Sequence, residues 1–153
     1  MNVSGTAIRV LLVEDDPNDI VLTRRAFRKA ELPEPIAVVE DGEQAVAYLG
    51  ATGEFADRRA HPLPDLILLD LKLPRRSGLE VLEWLRQQPG LLRMPVVILT
   101  SSRESSDVNR AYELGANSYL LKPVTFDALA KIVSDLDRYW GALNVRPEVE
   151  RPT

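Results

Sequence analysis

The sequence contains no cysteine and only one histidine among its 153 residues. Without thiols it can form no disulfide framework, no cysteine-ligated zinc site and no iron–sulfur cluster, and it offers no thiol chemistry. A multi-histidine metal site is excluded in the same way, and a Ser–His catalytic triad is not expected. The one histidine, His61, stands in a loop-like segment, where we expect its side chain to be solvated.

Long apolar runs and an excess of positive charge are also missing. No apolar stretch approaches the roughly 18 residues that span a membrane, and the first residues do not have the pattern of a signal peptide. Lys and Arg number 19 against 23 Asp and Glu, and the net charge is −4 at pH 7, so no basic patch for nucleic acid is expected. We therefore expect a cytoplasmic protein without membrane or nucleic-acid partners.

The sequence does have the length and the apolar content of one domain. Its 153 residues, 45% of them hydrophobic, are enough to bury a core. Five short apolar runs predict strands that are buried on both faces, as in a parallel sheet. The runs are Ile8–Val13, Ile36–Val39, Leu66–Leu69, Val96–Leu99 and, more weakly, Ser118–Leu121.

Apolar residues at helical spacing follow each of these runs. Asp16 as N-cap and Pro17 at the first helical position mark the start of the first helix. The five helical stripes lie within Ile20–Ala30, Glu43–Leu49, Leu79–Leu85, Val108–Tyr112 and Leu129–Trp140. Strand and helix therefore alternate five times, which predicts a three-layer α/β sandwich around an open five-stranded parallel sheet. The pattern leaves the strand order open, and residues 50–64 and 141–153 fall outside the repeat.

Polar residues follow four of the predicted strands, at the edge where open α/β sheets bind ligands. They are Glu14, Asp15 and Asp16 after the first strand, Asp70 after the third, Thr100 after the fourth and Lys122 after the fifth. Nearby carboxylates must share a proton or hold a cation, and ligands that are all oxygen favour Mg²⁺. Together with a hydroxyl and an ammonium, this set suits an incoming phosphoryl group that Asp70 attacks.

Four of these residues also have an ordinary structural explanation. Asp70 could be a loop acid, Asp16 is better explained as the helix cap, and Lys122 could be a surface lysine. Thr100 could merely begin a turn. Their joint placement at four strand ends favours a functional site over unrelated structural causes.

Four segments resemble the response-regulator receiver domain of two-component signalling, in the family's order and with its spacing. They are Leu12–Pro17, Leu68–Pro74, Ile98–Ser102 and Tyr119–Pro123. The resemblance covers Ile8 to Trp140 and implies a flavodoxin-like fold with strand order 2-1-3-4-5. It implies a receiver domain over residues 1–140, a C-terminal tail over residues 141–153 that could form an interface, and no output domain.

The resemblance also implies the chemistry of the site. Asp70 would be the phosphoacceptor, and Thr100 and Lys122 would contact the phosphoryl group. Mg²⁺ would be the cofactor. Its implied protein ligands are Asp15, Asp70, the backbone carbonyl of Lys72 and, through a bound water, Glu14.

Two further expectations follow from the same resemblance. Tyr119 would be the aromatic switch that turns inward when Thr100 moves, although it could equally be an ordinary strand tyrosine. The Lys122–Pro123 peptide bond would be cis, as is usual in the family.

Lys72 is a less ordinary feature, because it places a cation two residues after the phosphoacceptor, at the mouth of the site. It could be a solvated loop lysine, but we hypothesise that it contacts the phosphoryl group and alters its hydrolysis. An unchanged decay of the phosphorylated protein in Lys72→Asn would contradict that hypothesis.

Two details resemble the single-domain regulators associated with bacterial phytochromes. They are the long connection at residues 50–64 and the Asp137–Trp140 end with its proline-bearing tail. The likeness implies a phytochrome-type sensor histidine kinase as phosphoryl donor. It also implies a homodimer through the fourth helix, the fifth strand, the fifth helix and the tail. Trp140 and Val145 could dock on a partner; alternatively, Trp140 closes the core and the tail is disordered.

The sequence therefore predicts a single-domain response regulator that a histidine kinase phosphorylates on Asp70 and that signals through a changed protein-interaction surface. It would be a signalling protein that catalyses its own phosphorylation and dephosphorylation, not an enzyme. The alternative is a receiver-like interaction module that works without phosphate. A metal-dependent phosphohydrolase is disfavoured because Lys72 stands where such enzymes carry a second acid. A dinucleotide site is disfavoured because the first turn is acidic and not glycine-rich.

Overall fold

One parallel sheet of five strands forms the centre of the structure, a computed structural model that describes residues 7–149. The strands are β1 Val10–Val13, β2 Ala37–Val39, β3 Leu66–Leu69, β4 Val96–Thr100 and β5 Ser118–Leu121. The helices are α1 Pro17–Lys29, α2 Gly42–Gly50, α3 Gly78–Leu85, α4 Ser105–Glu113 and α5 Phe126–Leu136. The order across the sheet is β2-β1-β3-β4-β5, and all neighbouring strands are parallel. The predicted fold and strand order are confirmed.

The sheet separates two apolar layers because successive side chains of a strand point to opposite faces. On one face, Leu11 and Val13 of β1 pack with buried residues of α2, α3 and α4. On the other face, Val10 and Leu12 pack with buried residues of α1 and α5. All residues of β1, β3 and β4 are buried, whereas the edge strands β2 and β5 are mostly half-buried. Burial on both faces explains why the central strands read as continuous apolar runs.

Local signals in the sequence place two helix ends, the start of α1 at the carboxyl edge of the sheet and the end of α4 at the amino edge. Asp16 is the N-cap of α1, and its Oδ1 accepts hydrogen bonds from the backbone N–H groups of Asn18 at 2.8 Å and Asp19 at 3.3 Å. Gly115 follows α4 with a φ of +95°, a left-handed conformation that favours glycine. Among residues 7–149, no helix is both long enough and apolar enough to cross a membrane.

The long connection over residues 50–64 folds back on α2. It contains a 3₁₀ turn, Gly53–Phe55, and Arg58 donates a hydrogen bond to the carbonyl oxygen of Tyr48 at 2.8 Å. The ring of His61 lies edge-on to those of Phe55 and Tyr48, with centroid distances of 5.1 and 5.8 Å. The expectation of a merely solvated histidine was therefore wrong, because two aromatic rings surround it.

The helical path continues past the predicted domain boundary at residue 140. A π-helical segment, Asp137–Leu143, follows α5 directly and runs into the predicted tail. Beyond it, the guanidinium of Arg146 lies 3.4 Å from Asp65 Oδ2 and donates a hydrogen bond to the carbonyl oxygen of Gly141 at 3.1 Å. Because Asp65 immediately precedes β3, the tail lies against the amino end of the sheet. Residues 1–6, and the last part of the tail at residues 150–153, lie outside the described residues.

The peptide bond between Lys122 and Pro123 differs from the expectation. No peptide bond is cis within residues 7–149, so the predicted cis isomer was wrong. The trans isomer is the lower-energy form of such a bond by about 0.5–1 kcal/mol. Lys122 reaches the site with the trans peptide, as its contacts below show.

Candidate functional site

The carboxyl ends of four strands bring the predicted site residues together. Glu14 and Asp15 follow β1, Asp70 follows β3, Thr100 ends β4 and Lys122 follows β5. Since the strands are parallel, these ends meet at one edge of the sheet, where an open α/β fold leaves room for a ligand. The topology thus assembles side chains that are far apart in the sequence.

Asp70 lies at the centre of this site and is only 6% exposed. Its Oδ1 accepts a hydrogen bond from the hydroxyl of Thr100 at 2.9 Å and from the backbone N–H of Lys72 at 3.2 Å. Its Oδ2 accepts a hydrogen bond from the ammonium of Lys122 at 2.7 Å. Both oxygens are therefore held in fixed directions, with a hydroxyl on one side and a cation on the other. The side chain of Lys72 itself is exposed.

Lys122 donates to three carboxylates at once. Its Nζ lies 2.7 Å from Glu14 Oε1, 2.7 Å from Asp70 Oδ2 and 2.8 Å from Asp19 Oδ2. Burial lowers the pKa of Lys122, but the hydrogen bonds that it donates to Asp19, Asp70 and Glu14 outweigh burial and raise the pKa above its ordinary value. The lysine is therefore firmly cationic. The sequence analysis assigned no role in the site to Asp19, because its contact with Lys122 joins residues 103 positions apart.

Glu14 shows how crowded with negative charge the site is. The residue is 3% exposed, and burial raises its pKa from 4.5 to about 7, against hydrogen bonds from Lys122 and the backbone N–H of Asp16 that lower it. The neighbouring charge of Asp70 contributes to this raised pKa. One lysine therefore does not fully compensate the carboxylates, and a second cation would relieve the remaining repulsion.

Three of the acids can share such a cation. Glu14, Asp15 and Asp70 each offer a carboxylate oxygen, and these oxygens all lie within 4.8 Å of one another. A set made only of carboxylate oxygens, without sulfur or nitrogen, suits a hard divalent ion such as Mg²⁺ or Mn²⁺. The residues present therefore fit the implied metal.

Tyr119 touches the loop that follows β4. Its hydroxyl donates a hydrogen bond to the carbonyl oxygen of Ser102 at 3.0 Å, and its ring packs against the apolar layer on the α3 and α4 side of the sheet. Ser102 is buried, and its hydroxyl donates a hydrogen bond to Asp107 Oδ2 at 2.6 Å. The backbone N–H of Ser102 also points to the hydroxyl oxygen of Thr100 at 3.4 Å. Thr100 and Tyr119 are thus linked through Ser102, a residue to which the sequence analysis gave no role.

A glycine allows α3 to begin directly against the loop of Asp70. A Cβ atom built on Gly78 would lie 2.2 Å from the backbone oxygen of Asp70, closer than any side chain can come. The backbone N–H of Gly78 donates to the carbonyl oxygen of Leu71 at 2.9 Å. The segment after Asp70 is therefore fixed by backbone contact, and only glycine fits there.

Comparison with known proteins identifies the family that this site and fold define. Residues 10–134 match the response regulator receiver domain. That match covers most of the chain, so the protein belongs to the receiver domain family of response regulators.

Individual members of the family are similar over nearly the whole chain. Response regulator Rcp1 of Synechocystis sp. is 39% identical over 131 residues, which are 86% of this chain and 87% of Rcp1. The crystal structure of the Mn²⁺-bound form of Rcp1 has a TM-score of 0.79 at 37% identity and covers 92% of this chain and 99% of its own.

Two further structures come from proteins described as phytochrome regulators. The phosphorylated cyanobacterial phytochrome response regulator RcpA has a TM-score of 0.84 at 36% identity and covers 94% of this chain and 100% of its own. The bacteriophytochrome response regulator RtBRR has a TM-score of 0.72 at 45% identity and covers 93% of this chain and 85% of its own. The chain is therefore similar to phytochrome response regulators in both sequence and structure.

Proposed function

We propose that this protein is a single-domain response regulator whose Asp70 accepts a phosphoryl group from a histidine kinase. One observation carries the proposal. The nearly buried carboxylate of Asp70 lies between the hydroxyl of Thr100 at 2.9 Å and the ammonium of Lys122 at 2.7 Å, beside two further acids. A purely structural aspartate needs no such combination of hydroxyl, cation and uncompensated acids.

The transfer itself requires little covalent chemistry from the protein. A carboxylate oxygen of Asp70 forms a bond to phosphorus, the bond from phosphorus to the donor's imidazole nitrogen breaks, and the electron pair leaves with the imidazole. Thr100 donates its hydroxyl to a phosphoryl oxygen, and Lys122 supplies a positive charge next to the same group. Attack by water on the acyl phosphate later returns Asp70 to its free form. The protein thus promotes its own phosphorylation and dephosphorylation without acting as an enzyme on another substrate.

Mg²⁺ is the cofactor of this proposal. Asp15 and Asp70 would bind it directly, the backbone carbonyl of Lys72 would complete the protein ligands, and Glu14 would act through a bound water. When bound, the ion neutralises the negative charge that gathers on the phosphoryl oxygens. The Mn²⁺-bound form of Rcp1 supports a divalent ion in a related receiver.

Phosphorylation would change the surface through Thr100 and Tyr119. When the hydroxyl of Thr100 turns from Asp70 to the phosphoryl group, its contact with the backbone N–H of Ser102 must change as well. Since Tyr119 bonds to the carbonyl oxygen of the same residue, its ring position is coupled to the site. The phosphoryl group then shifts an existing equilibrium between two conformations.

The likeness to phytochrome response regulators supports a proposal for the phosphoryl donor. We infer a phytochrome-type sensor histidine kinase as donor and a homodimer formed by α4, β5, α5 and the tail over residues 141–153. In support of the dimer, exposed apolar side chains lie at this end of the chain: Tyr139 is 52%, Leu143 69% and Val145 91% exposed. Trp140, in contrast, packs partly against the core. A monomer by sedimentation at micromolar concentration, both with and without phosphoryl donor, would contradict the dimer.

Intact mass after incubation with acetyl phosphate and Mg²⁺ tests the phosphoacceptor. We expect a gain of one phosphoryl group in the wild type and in Asp65→Asn, a matched change of an aspartate at the other end of the sheet. We expect no gain in Asp70→Asn or in the presence of EDTA.

The second donor in this experiment is a phytochrome-type kinase with ATP. If neither donor phosphorylates the wild type, the proposed function fails, and a receiver-like interaction module that works without phosphate becomes the better description. If Asp70→Asn still gains the group, another residue is the acceptor.

A further inference from the structure

Asp19 differs from the other two carboxylates that bind Lys122. Its Oδ2 lies 2.8 Å from Nζ, a distance close to those of Glu14 and Asp70. However, the cluster of oxygens that can share a metal ion consists of Glu14, Asp15 and Asp70, and Asp19 does not belong to it. Asp19 therefore touches the cation of the site without being one of its metal ligands.

The ammonium of Lys122 competes with a metal ion for the same acids. An ammonium group has three N–H donors, and its three close acceptors are Glu14, Asp70 and Asp19. Two of these acceptors are the acids that a divalent ion would need. Binding of the ion thus places two cations next to the same oxygens, unless Lys122 shifts toward its third partner.

The position of Asp19 is suited to holding the lysine in that shifted place. It stands in the first turn of α1, and its backbone N–H is bonded to the cap residue Asp16 at 3.3 Å. Its side chain is 35% exposed, compared with 4% for Glu14 and 8% for Asp70. Asp19 is therefore the most exposed of the three carboxylates that contact Lys122, whereas Glu14 and Asp70 of the metal cluster are buried.

We propose that Asp19 is a positioning residue that draws Lys122 away from Glu14 and Asp70 when a divalent ion binds, and so raises the affinity of the site for that ion. The proposal rests on the proposed function of the same site. Asp19 keeps one N–H of the lysine occupied, while the remaining two stay available to a phosphoryl group on Asp70. It touches neither the metal ion nor the reacting atoms, and it acts only through Lys122.

The test is calorimetric titration with Mg²⁺, and with Mn²⁺ as a second probe, on four proteins. They are the wild type, Asp19→Asn, Lys122→Ala and the double variant. Asp127→Asn is the matched control, since Asp127 is an exposed acid in the first turn of α5 at the same end of the sheet. Thermal unfolding of each variant shows that it is folded before titration.

We expect Asp19→Asn to bind Mg²⁺ about three- to fivefold more weakly than the wild type, as befits a partly exposed ion pair. In the Lys122→Ala background the same change should have no more effect than Asp127→Asn has, because Asp19 acts through the lysine. An equal loss in both backgrounds would overturn the proposal, because the effect would then be the general loss of one negative charge. Unchanged affinity in Asp19→Asn would overturn it too.

Phosphorylation by acetyl phosphate separates this inference from the proposed function. At saturating Mg²⁺, Asp19→Asn should be phosphorylated within about twofold of the wild-type rate, while the Mg²⁺ concentration for half of that rate rises with the weaker affinity. A lower rate that saturating Mg²⁺ does not restore would contradict a role in ion affinity. If the wild type is not phosphorylated at all, the proposed function fails, whereas the titrations still decide the role of Asp19.

Discussion

The two ends of the sheet carry clusters of charged side chains whose excess charge has opposite sign. At the carboxyl end, the acid site places Glu14, Asp15, Asp19 and Asp70 around the single cation of Lys122. At the amino end, the basic clasp places one acid between two guanidinium groups. In the clasp, Asp65 Oδ2 accepts a hydrogen bond from the backbone N–H of Arg9 at 2.8 Å and lies 3.6 Å from Arg9 Nε and 3.4 Å from Arg146.

This difference in excess charge distinguishes a site that can bind a cation from a cluster that joins segments of the chain. In the basic clasp, the single carboxylate of Asp65 contacts two guanidinium groups and a backbone N–H. These contacts connect the residue before β1, the residue before β3 and the tail. In the acid site, the carboxylates outnumber their cation, and burial together with the neighbouring charge of Asp70 raises the pKa of Glu14. A fold retains such an imbalance where a ligand will compensate it, which is why perturbed carboxyl groups in a cleft point to function.

Removing the cation of Lys122 from the acid site should have the largest effect on stability. In metal-free buffer at pH 8, we expect Lys122→Ala to lower the free energy of unfolding by about 2–4 kcal/mol, because it leaves buried carboxylates without their partner. The loss should be smaller at pH 6. The folded-state pKa of Glu14 is raised above its unfolded value, so the folded state binds the proton more tightly and stability falls as the pH rises through this range.

Urea denaturation with EDTA and with Mg²⁺ measures this effect. Mg²⁺ should restore part of the lost stability, because it binds only the folded acid site. Lys131→Ala is the control, since Lys131 is an exposed lysine of α5 that lies 3.5 Å from Asp135. Equal losses of stability at both pH values, with no recovery in Mg²⁺, would mean that the acid site carries no excess of negative charge.

Removing the acid of the basic clasp should have a smaller effect and a different signature. We expect Asp65→Ala to lower the free energy of unfolding by about 1–2 kcal/mol, because it removes the acceptor of a charge-assisted hydrogen bond from the backbone of Arg9. Neither Mg²⁺ nor pH between 6 and 8 should change that loss, and phosphorylation of Asp70 should stay at its wild-type level. A Mg²⁺-dependent loss would contradict the purely structural role of the clasp.

The tail's contribution to the clasp should be the smallest. Arg146→Ala removes one partly exposed ion pair and a hydrogen bond to Gly141, so we expect a loss of at most about 1 kcal/mol by urea denaturation. High salt should reduce the difference from the wild type. A loss as large as that of Asp65→Ala would show that the tail, and not the contact with Arg9, accounts for the stabilising effect of Asp65.

The same two ends differ in how far they could be predicted. The positions of Glu14, Asp15, Asp70, Thr100 and Lys122 at the carboxyl edge of the sheet could be predicted, since each follows a recognisable apolar strand and parallel strands end at a common edge. The basic clasp was not predicted, because Arg9, Asp65 and Arg146 belong to no periodic pattern. Two predictions were wrong: His61 was expected to be solvated, and the peptide bond before Pro123 was expected to be cis.

The sequence by itself is sufficient to predict the strands, the helices, the cap at Asp16 and the left-handed turn at Gly115. Each of these features depends on residues within a few positions of one another. The acids that surround Asp70 could be inferred because they are linked to strand ends. The contact between Asp19 and Lys122 joins residues 103 positions apart, across strands that are not neighbours in the sheet. No local pattern encodes such a contact, because it depends on how α1 and the end of β5 are placed by the packed core between them.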